Sequence, residues 1–194
     1  MLDTYGRKYV NKWIDSGANL FSRMKFTPNA VTKIAFLLGI IVGPLVYLDK
    51  PIIATIVLWI SGYLDAVDGA LARKTKKTSS WGTLMDITFD RLVEISVIMG
   101  FAFYDLDRSI YLLAMTSAII FSMTVFLAVG ALVDAESQKS FYYQAGVMER
   151  TEGFLFFTAM ILIPSQFKVL AVIYAGLVYF TGGQRLLEAR DVME

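Results

Sequence analysis

Six ionisable residues stand where apolar ones belong. Asp65, Asp68, Asp86, Asp90, Arg91 and Glu94 interrupt two of the greasier stretches of the chain. A charge near the centre of a membrane helix costs about 2.5–3.5 kcal/mol on insertion scales, so intramembrane acids face a wet cavity, a partner or an ion. Asp65 and Asp68 are three apart and Asp86 and Asp90 four apart, so each pair shares one helix face. The turn joining the two stretches is centred near residues 77–78; Asp65 and Asp90 lie equally far from it, and Asp68 and Asp86 nearly so. At about 1.5 Å per residue, this register predicts four carboxylates at one depth, within roughly two turns of the membrane surface. Four like charges repel, and oxygen-bound divalent cations resolve the repulsion. The chain has no histidine and no cysteine. That excludes imidazole and thiolate metal sites, the Ser-His-Asp triad and cysteine nucleophiles. A carboxylate-only donor set suits Mg²⁺, Mn²⁺ or Ca²⁺. Two such ions clamp a phosphate and activate a hydroxyl. Gly69 bares the backbone directly after Asp68, Gly82 opens the second acidic stretch, and Arg73 lies five residues past Asp68, placed to meet a phosphate.

The elements that position these residues are membrane helices. Of the 194 residues 56% are hydrophobic and 18% charged, with a mean hydropathy of +0.57, against about 45–50% and 25% in soluble domains. Stretches of about 20 apolar residues are expected over 30–48, 51–73, 82–104, 110–133, 153–164 with its flanks, and 167–183. Pro51 suits a first helical turn, Pro164 marks a break, and Pro44 is a candidate kink. Ahead of the first span, Tyr9/Val10, Trp13/Ile14, Gly17, Leu20/Phe21 and Met24 form one apolar stripe at helical spacing, with basic residues largely off it. This reads as a helix lying in the membrane interface, or one packed against the bundle. Thr27 and Pro28 then restart the chain as cap and first helical residue.

With six spans and an inside N-terminus, the outer loops carry only Lys50, Arg108 and Lys168, leaving fifteen of eighteen Lys and Arg inside or near it. The positive-inside rule then puts both termini and the acids at the cytoplasmic face of the inner membrane. The net charge of +1 gives no reason to expect a nucleic-acid partner. The expected fold is an all-α membrane protein with six transmembrane helices: an amphipathic interfacial helix over 1–26 and one membrane domain over 27–194.

Together the residues read Asp65-x-x-Asp68-Gly69-x-x-Ala72-Arg73, eight further residues, then Gly82-x-x-x-Asp86-x-x-x-Asp90. This pattern resembles the signature of the CDP-alcohol phosphotransferases, and the likeness extends to the Thr27-Pro28-Asn29 entry and the six-span layout. The resemblance implies an enzyme that transfers a substituted phosphate from a CDP-linked alcohol, such as CDP-diacylglycerol, to the hydroxyl of a small alcohol or polyol, releasing CMP in phospholipid synthesis. It implies a two-metal site, Mg²⁺ or Mn²⁺, on Asp65, Asp68 and Asp86. Asp90 is implied as general base, also near a metal. Asp65, Gly69, Ala72, Arg73 and Gly82 are implied around the nucleotide and diphosphate. A homodimer is implied as well.

The segment from Thr27 to Thr32 is similar to the branch that makes inositol-phosphate lipids. That branch carries basic residues in the fourth span and paired arginines near the fifth; here 110–133 has no Lys or Arg and Gly153 stands where a second arginine is expected. Lys139 and Arg150 are the candidates for acceptor recognition. Glu94 is read either as part of the polar face or as a partner of Arg91, and Asn29 and Thr32 either as site residues or as capping and packing residues. Two other classes compete. One is an aspartate-rich, Mg²⁺-dependent prenyl transferase. The other is a cation transporter, which would place its acids nearer the midplane with paths to both sides.

Overall fold

The computed structural model describes residues 2–136 and 146–193, which are helical without strands. The helices are α1 (Leu2–Arg23), α2 (Pro28–Tyr47), α3 (Pro51–Thr75), α4 (Ser80–Tyr104), α5 (Ser109–Glu136), α6 (Arg150–Leu162) and α7 (Phe167–Met193), with single 3-10 turns at Leu106–Arg108 and Pro164–Gln166. The punctuation follows the sequence. Thr27 caps α2, its hydroxyl accepting from the Ala30 N–H at 3.3 Å. Ser79 caps α4, accepting from the Gly82 N–H at 3.1 Å. Pro28 and Pro51 each open a helix. α2 runs on through Pro44. α1, α2 and α3 end alike, with Lys25, Asp49 and Lys76 at φ of 60°, 53° and 54°. In each, the next N–H reaches back five residues to a carbonyl, the left-handed stop usually made by glycine.

Four segments are long and apolar enough to cross a membrane: Pro28–Tyr47, Pro51–Thr75, Leu106–Leu132 and Pro164–Arg190. They correspond to four of the six expected spans. α4 has 25 residues, ample length, but Asp86, Asp90, Arg91 and Glu94 dilute its hydropathy. α6 has 13 residues, about 20 Å at 1.5 Å per residue, short of a hydrocarbon core about 30 Å thick.

The chain divides into two compact units, Gly6–Leu106 and Asp107–Glu194, the latter with Met1–Tyr5. In the first, α2 is the spine: it packs along both α3 and α4, whereas direct contact between α3 and α4 is slight. Serines fasten both neighbours to it. Ser61 Oγ donates to the Ala35 carbonyl at 2.8 Å and Ser96 Oγ to the Ile40 carbonyl at 2.7 Å. Phe36 stacks on Phe89 with centroids 4.1 Å apart. Gly43 and Gly100 let α2 and α4 touch backbone to backbone: a Cβ on Gly100 would fall on the Gly43 backbone, and one on Gly43 on the Ser96 carbonyl.

α1 packs against the rest of the first unit along part of its stripe. Ala18 is buried with Val31, Val67, Ala70 and Leu71, and Ile14 and Phe21 pack against that cluster. Tyr63 donates to the Trp13 carbonyl at 3.0 Å. Trp13, Leu20 and Met24 stay exposed as a narrow apolar line.

In the second unit α7 packs on α5 and α6. Tyr179 donates to Ser117 Oγ at 3.0 Å, and Tyr174 meets Phe156 and Phe157 with centroids 5.8 and 5.6 Å away.

The α2–α4 crossing yields a test. Gly100→Ala should destabilise by about 1–3 kcal/mol through overpacking and lower the Tm of the detergent-solubilised protein. Gly176→Ala, where a Cβ meets nothing within 4 Å, should leave Tm unchanged or slightly raised.

Candidate active site

The gap between α3 and α4, backed by α2, is where the acids gather. Asp65 and Asp68 from α3 and Asp86 from α4 each present a carboxylate oxygen, and the three oxygens lie within 4.8 Å of one another. Asp68 is 6% exposed, and Asp65 and Asp86 are half-buried. The Thr32 hydroxyl lies close to Asp68 and donates to the Pro28 carbonyl at 3.1 Å. Asp68 Oδ2 is buried with no hydrogen-bond partner among the described residues. A buried carboxylate oxygen without a donor is costly, and a divalent cation satisfies it. The donor set is oxygen-only, clustered and partly buried, so the residues fit Mg²⁺ or Mn²⁺.

Asp90 stands one turn further along α4, outside this trio. It is within electrostatic reach of Asp86 and Asp68. The register thus brings three of the four aspartates into one cluster and sets the fourth beside it, because four residues of helix separate the two α4 acids by about 6 Å along the axis. Glu94 pairs with Arg91, its Oε2 2.7 Å from Nη1, so its charge is compensated within α4.

Around the trio, the bare backbone at Gly69 lies under the Arg73 guanidinium, which would sit 3.4 Å from a Cβ there. The Arg73 charge acts on Asp68, and the side chain itself is exposed. Ala72 is half-buried on the same turn. Gly82 lies in the first turn of α4, where a Cβ would stand 3.5 Å from Asn29 Oδ1. Asn29 and Thr32 therefore both border the site region, from the start of α2.

Of the acceptor candidates, Lys139 lies outside the described residues. Arg150 is the first residue of α6, with its guanidinium 5.4 Å from the Phe154 ring centroid, in the unit that does not carry the acids. There the structure adds a residue that sequence reasoning counted only as a topology signal. Arg185 is 8% exposed, 5.1 Å from the Phe126 centroid. It borders the segment just before α6: a Cβ on Gly146 would lie 3.3 Å from its Nη2, and the Met148 N–H donates to Thr181 Oγ1 at 2.9 Å. The one sequence signal was its helical spacing from Thr181, four residues earlier.

Residues 25–182 match the CDP-alcohol phosphatidyltransferase family. The chain belongs to that family. It is 31% identical to the archaetidylinositol phosphate synthase of Pyrococcus horikoshii, over 97% of this chain and 96% of that one. The fold matches that of phosphatidylinositol phosphate synthase from Mycobacterium tuberculosis. In the structure with CDP-DAG bound, the TM-score is 0.73 at 21% identity, covering 91% of this chain and 92% of that one. In the structure with manganese and citrate, the score and identity are the same and the coverage is 91% and 88%. As a CDP-alcohol phosphatidyltransferase, the protein is an integral membrane enzyme. It transfers a phosphatidyl group from a CDP-linked alcohol to an alcohol hydroxyl, releases CMP, and depends on divalent metal. The family assignment selects this reading over the prenyl transferase and the transporter.

Asp68→Asn and Asp86→Asn should each lower CMP release by roughly 10²-fold or more, the scale on which removing one electrostatic transition-state contact acts. Both variants should still be recovered from membranes. Turnover at the wild-type rate in both would overturn the metal assignment.

Proposed function

We propose that Asp65, Asp68 and Asp86 are the metal ligands of a two-metal site, with Asp90 beside them as general base. The carrying observation is the trio of oxygens within 4.8 Å, one of them on Asp68, whose Oδ2 has no hydrogen-bond partner among the described residues. Mg²⁺ or Mn²⁺ bound there would neutralise the donor diphosphate and stabilise CMP as it leaves. Arg73 pairs with a diphosphate oxygen, and Gly69, Ala72 and Gly82 let the diphosphate approach the backbone closely. Asp90 accepts the proton of the acceptor hydroxyl. The freed oxygen attacks the phosphorus that bears the lipid, a new P–O bond forms, and the bond to the CMP oxygen breaks. Thr32 keeps Asp68 oriented from α2.

The acceptor, in this reading, is a phosphorylated polyol of the inositol phosphate class. The relatives' names support it. Arg150, Arg185 and Lys139 supply the cations that such a phosphate needs. The absence of basic residues from 110–133 weighed against a phosphorylated acceptor; a buried arginine on α7 offers the charge from another helix. The 27–194 region forms one catalytic domain with six crossings. α4 completes the membrane part through its length, and α6 does so with residues 146–149 ahead of it. Both termini and the site face the cytoplasm at the inner membrane, supported by the fifteen-to-three division of basic residues. α1 lies at the interface with Trp13, Leu20 and Met24 in the lipid, and the enzyme is a homodimer.

Purified protein with CDP-diacylglycerol and Mg²⁺ or Mn²⁺ should release CMP in the presence of inositol 1-phosphate, and less or none with inositol, serine or glycerol. Chelation should stop the reaction, and Asp90→Asn should abolish it. A free-inositol or serine preference would overturn the acceptor class. Arg150→Ala should raise KM for the phosphorylated acceptor roughly tenfold or more, the value of one charge-assisted hydrogen bond, while KM for the CDP-linked donor holds.

A further inference from the structure

Residues 146–149 lead into α6 without being helical, yet Gly146, Met148 and Glu149 are buried. A buried backbone N–H outside a helix has no intrahelical acceptor and must find one elsewhere. The Met148 N–H finds it on α7, donating to Thr181 Oγ1 at 2.9 Å. Thr181 gives its own proton to the Leu177 carbonyl one turn back, also at 2.9 Å. A hydroxyl has a single hydrogen. That of Thr181 is committed to α7, so its oxygen meets Met148 as an acceptor.

The other branch of the same side chain meets the same segment. A Cβ on Gly146 would collide with Thr181 Cγ2 and stand 3.3 Å from Arg185 Nη2. The chain ahead of α6 therefore lies in a slot between Thr181 and Arg185, which are one turn apart on α7. Thr181 is 1% exposed and Arg185 8%, and they are the buried polar or charged side chains described on α7. The Gly153 N–H donates to the Glu149 carbonyl at 3.0 Å, so α6 starts directly from the held segment, with Arg150 as its first residue. Between membrane helices, apolar packing gains nothing over lipid, and hydrogen bonds of this kind fix one helix against the next.

We propose that Thr181 is a positioning residue of the transferase: by holding the Met148 N–H and the Gly146 backbone, it sets where Arg150 on α6 stands relative to Arg185 on α7. The proposal rests on the reading of Arg150 and Arg185 as cations for the acceptor; Thr181 itself touches no substrate. Met148 is two residues from Arg150, so losing the tie frees the start of α6 and moves one guanidinium against the other. Charge-assisted contacts depend on that geometry. The clustered acids belong to α3 and α4, which have their own serine fastenings to α2, and a change at Thr181 leaves those intact.

Steady-state CMP release by the purified full chain tests this, with inositol 1-phosphate and CDP-diacylglycerol varied in turn. Thr181→Val keeps a methyl against Gly146 and removes the acceptor oxygen. It should raise KM for inositol 1-phosphate about fivefold, the scale of one neutral hydrogen bond, with KM for the donor unchanged. Thr181→Ser keeps the oxygen and should stay within about twofold of wild type. Gly146→Ala displaces the segment from the other side and should also raise the acceptor KM; it carries the test if Thr181→Val is not recovered from membranes. In an Arg150→Ala background, Thr181→Val should add less than about twofold, because residues acting as one unit are not additive. Additive losses would signal general loosening and overturn the proposal. So would a wild-type acceptor KM in Thr181→Val, or an equal loss in Tyr179→Phe, which removes the neighbouring hydrogen bond to Ser117 and leaves residues 146–149 untouched. An Arg150→Ala enzyme with a wild-type acceptor KM would refute the acceptor reading itself, and the positioning role with it.

Discussion

Three carboxylates within 4.8 Å, in helices made mostly of apolar residues, are the constraint to which the surrounding structure answers. At such distances each like-charged pair repels by roughly 4 kcal/mol at an effective dielectric of 20. A fold that optimised only its own stability would separate these groups or pair each with a cation. Here the acids stay together: Arg91 is spent on Glu94, Arg73 stays exposed at the end of α3, and a buried oxygen of Asp68 has no donor among the described residues. A divalent cation would supply positive charge at such a cluster, and an all-oxygen donor set suits hard divalent cations.

Holding the acids in this state requires two helices that face each other without closing. α2 achieves that by packing along both α3 and α4 while they make slight contact with one another. Its own attachments are short-range and directional. Serine hydroxyls from each neighbour reach α2 carbonyls at 2.8 and 2.7 Å. The glycine crossing at Gly43 and Gly100 brings backbones into contact. In a membrane, where apolar packing gains no hydrophobic advantage over lipid, small residues and interhelical hydrogen bonds are the available means of fixing helix position. The same helix borders the site through Thr32, near Asp68, and Asn29, near Gly82.

α1 extends this design beyond the bundle. Its buried face, exposed apolar line and polar face occupy three different sectors of one helix, with Ala18 in the core, Trp13 outside and Asp15 at a groove bordered by Arg73 and Lys74 of α3. The hydrogen bond from Tyr63 couples its position to the stretch of α3 that bears Asp65. A shift of α1 therefore bears on the stretch of α3 beside the clustered acids.

The sequence by itself determined the chemistry. The absence of His and Cys, the acids inside apolar stretches and the Asp65-to-Asp90 spacing pointed to divalent-metal chemistry and identified the family. Cap and proline signals at Thr27, Pro28 and Pro51 are local, because they depend on hydrogen bonds three or four residues away, and the helix boundaries followed them closely. The spacing about the α3–α4 turn predicted four acids at one level, since helical rise is constant; three of them cluster and Asp90 stands outside that cluster. Rise along one axis says nothing of what lies between two axes. Only the tertiary structure decided that α2 is the wedge, and that the close cluster is Asp65, Asp68 and Asp86 with Asp90 beside it. The tertiary structure likewise settled Glu94 on Arg91, and buried Arg185 although its sequence context matches that of any basic residue after a span. Spacing encodes what one helix presents; burial and partnership belong to pairs of helices, and no single helix's sequence contains them.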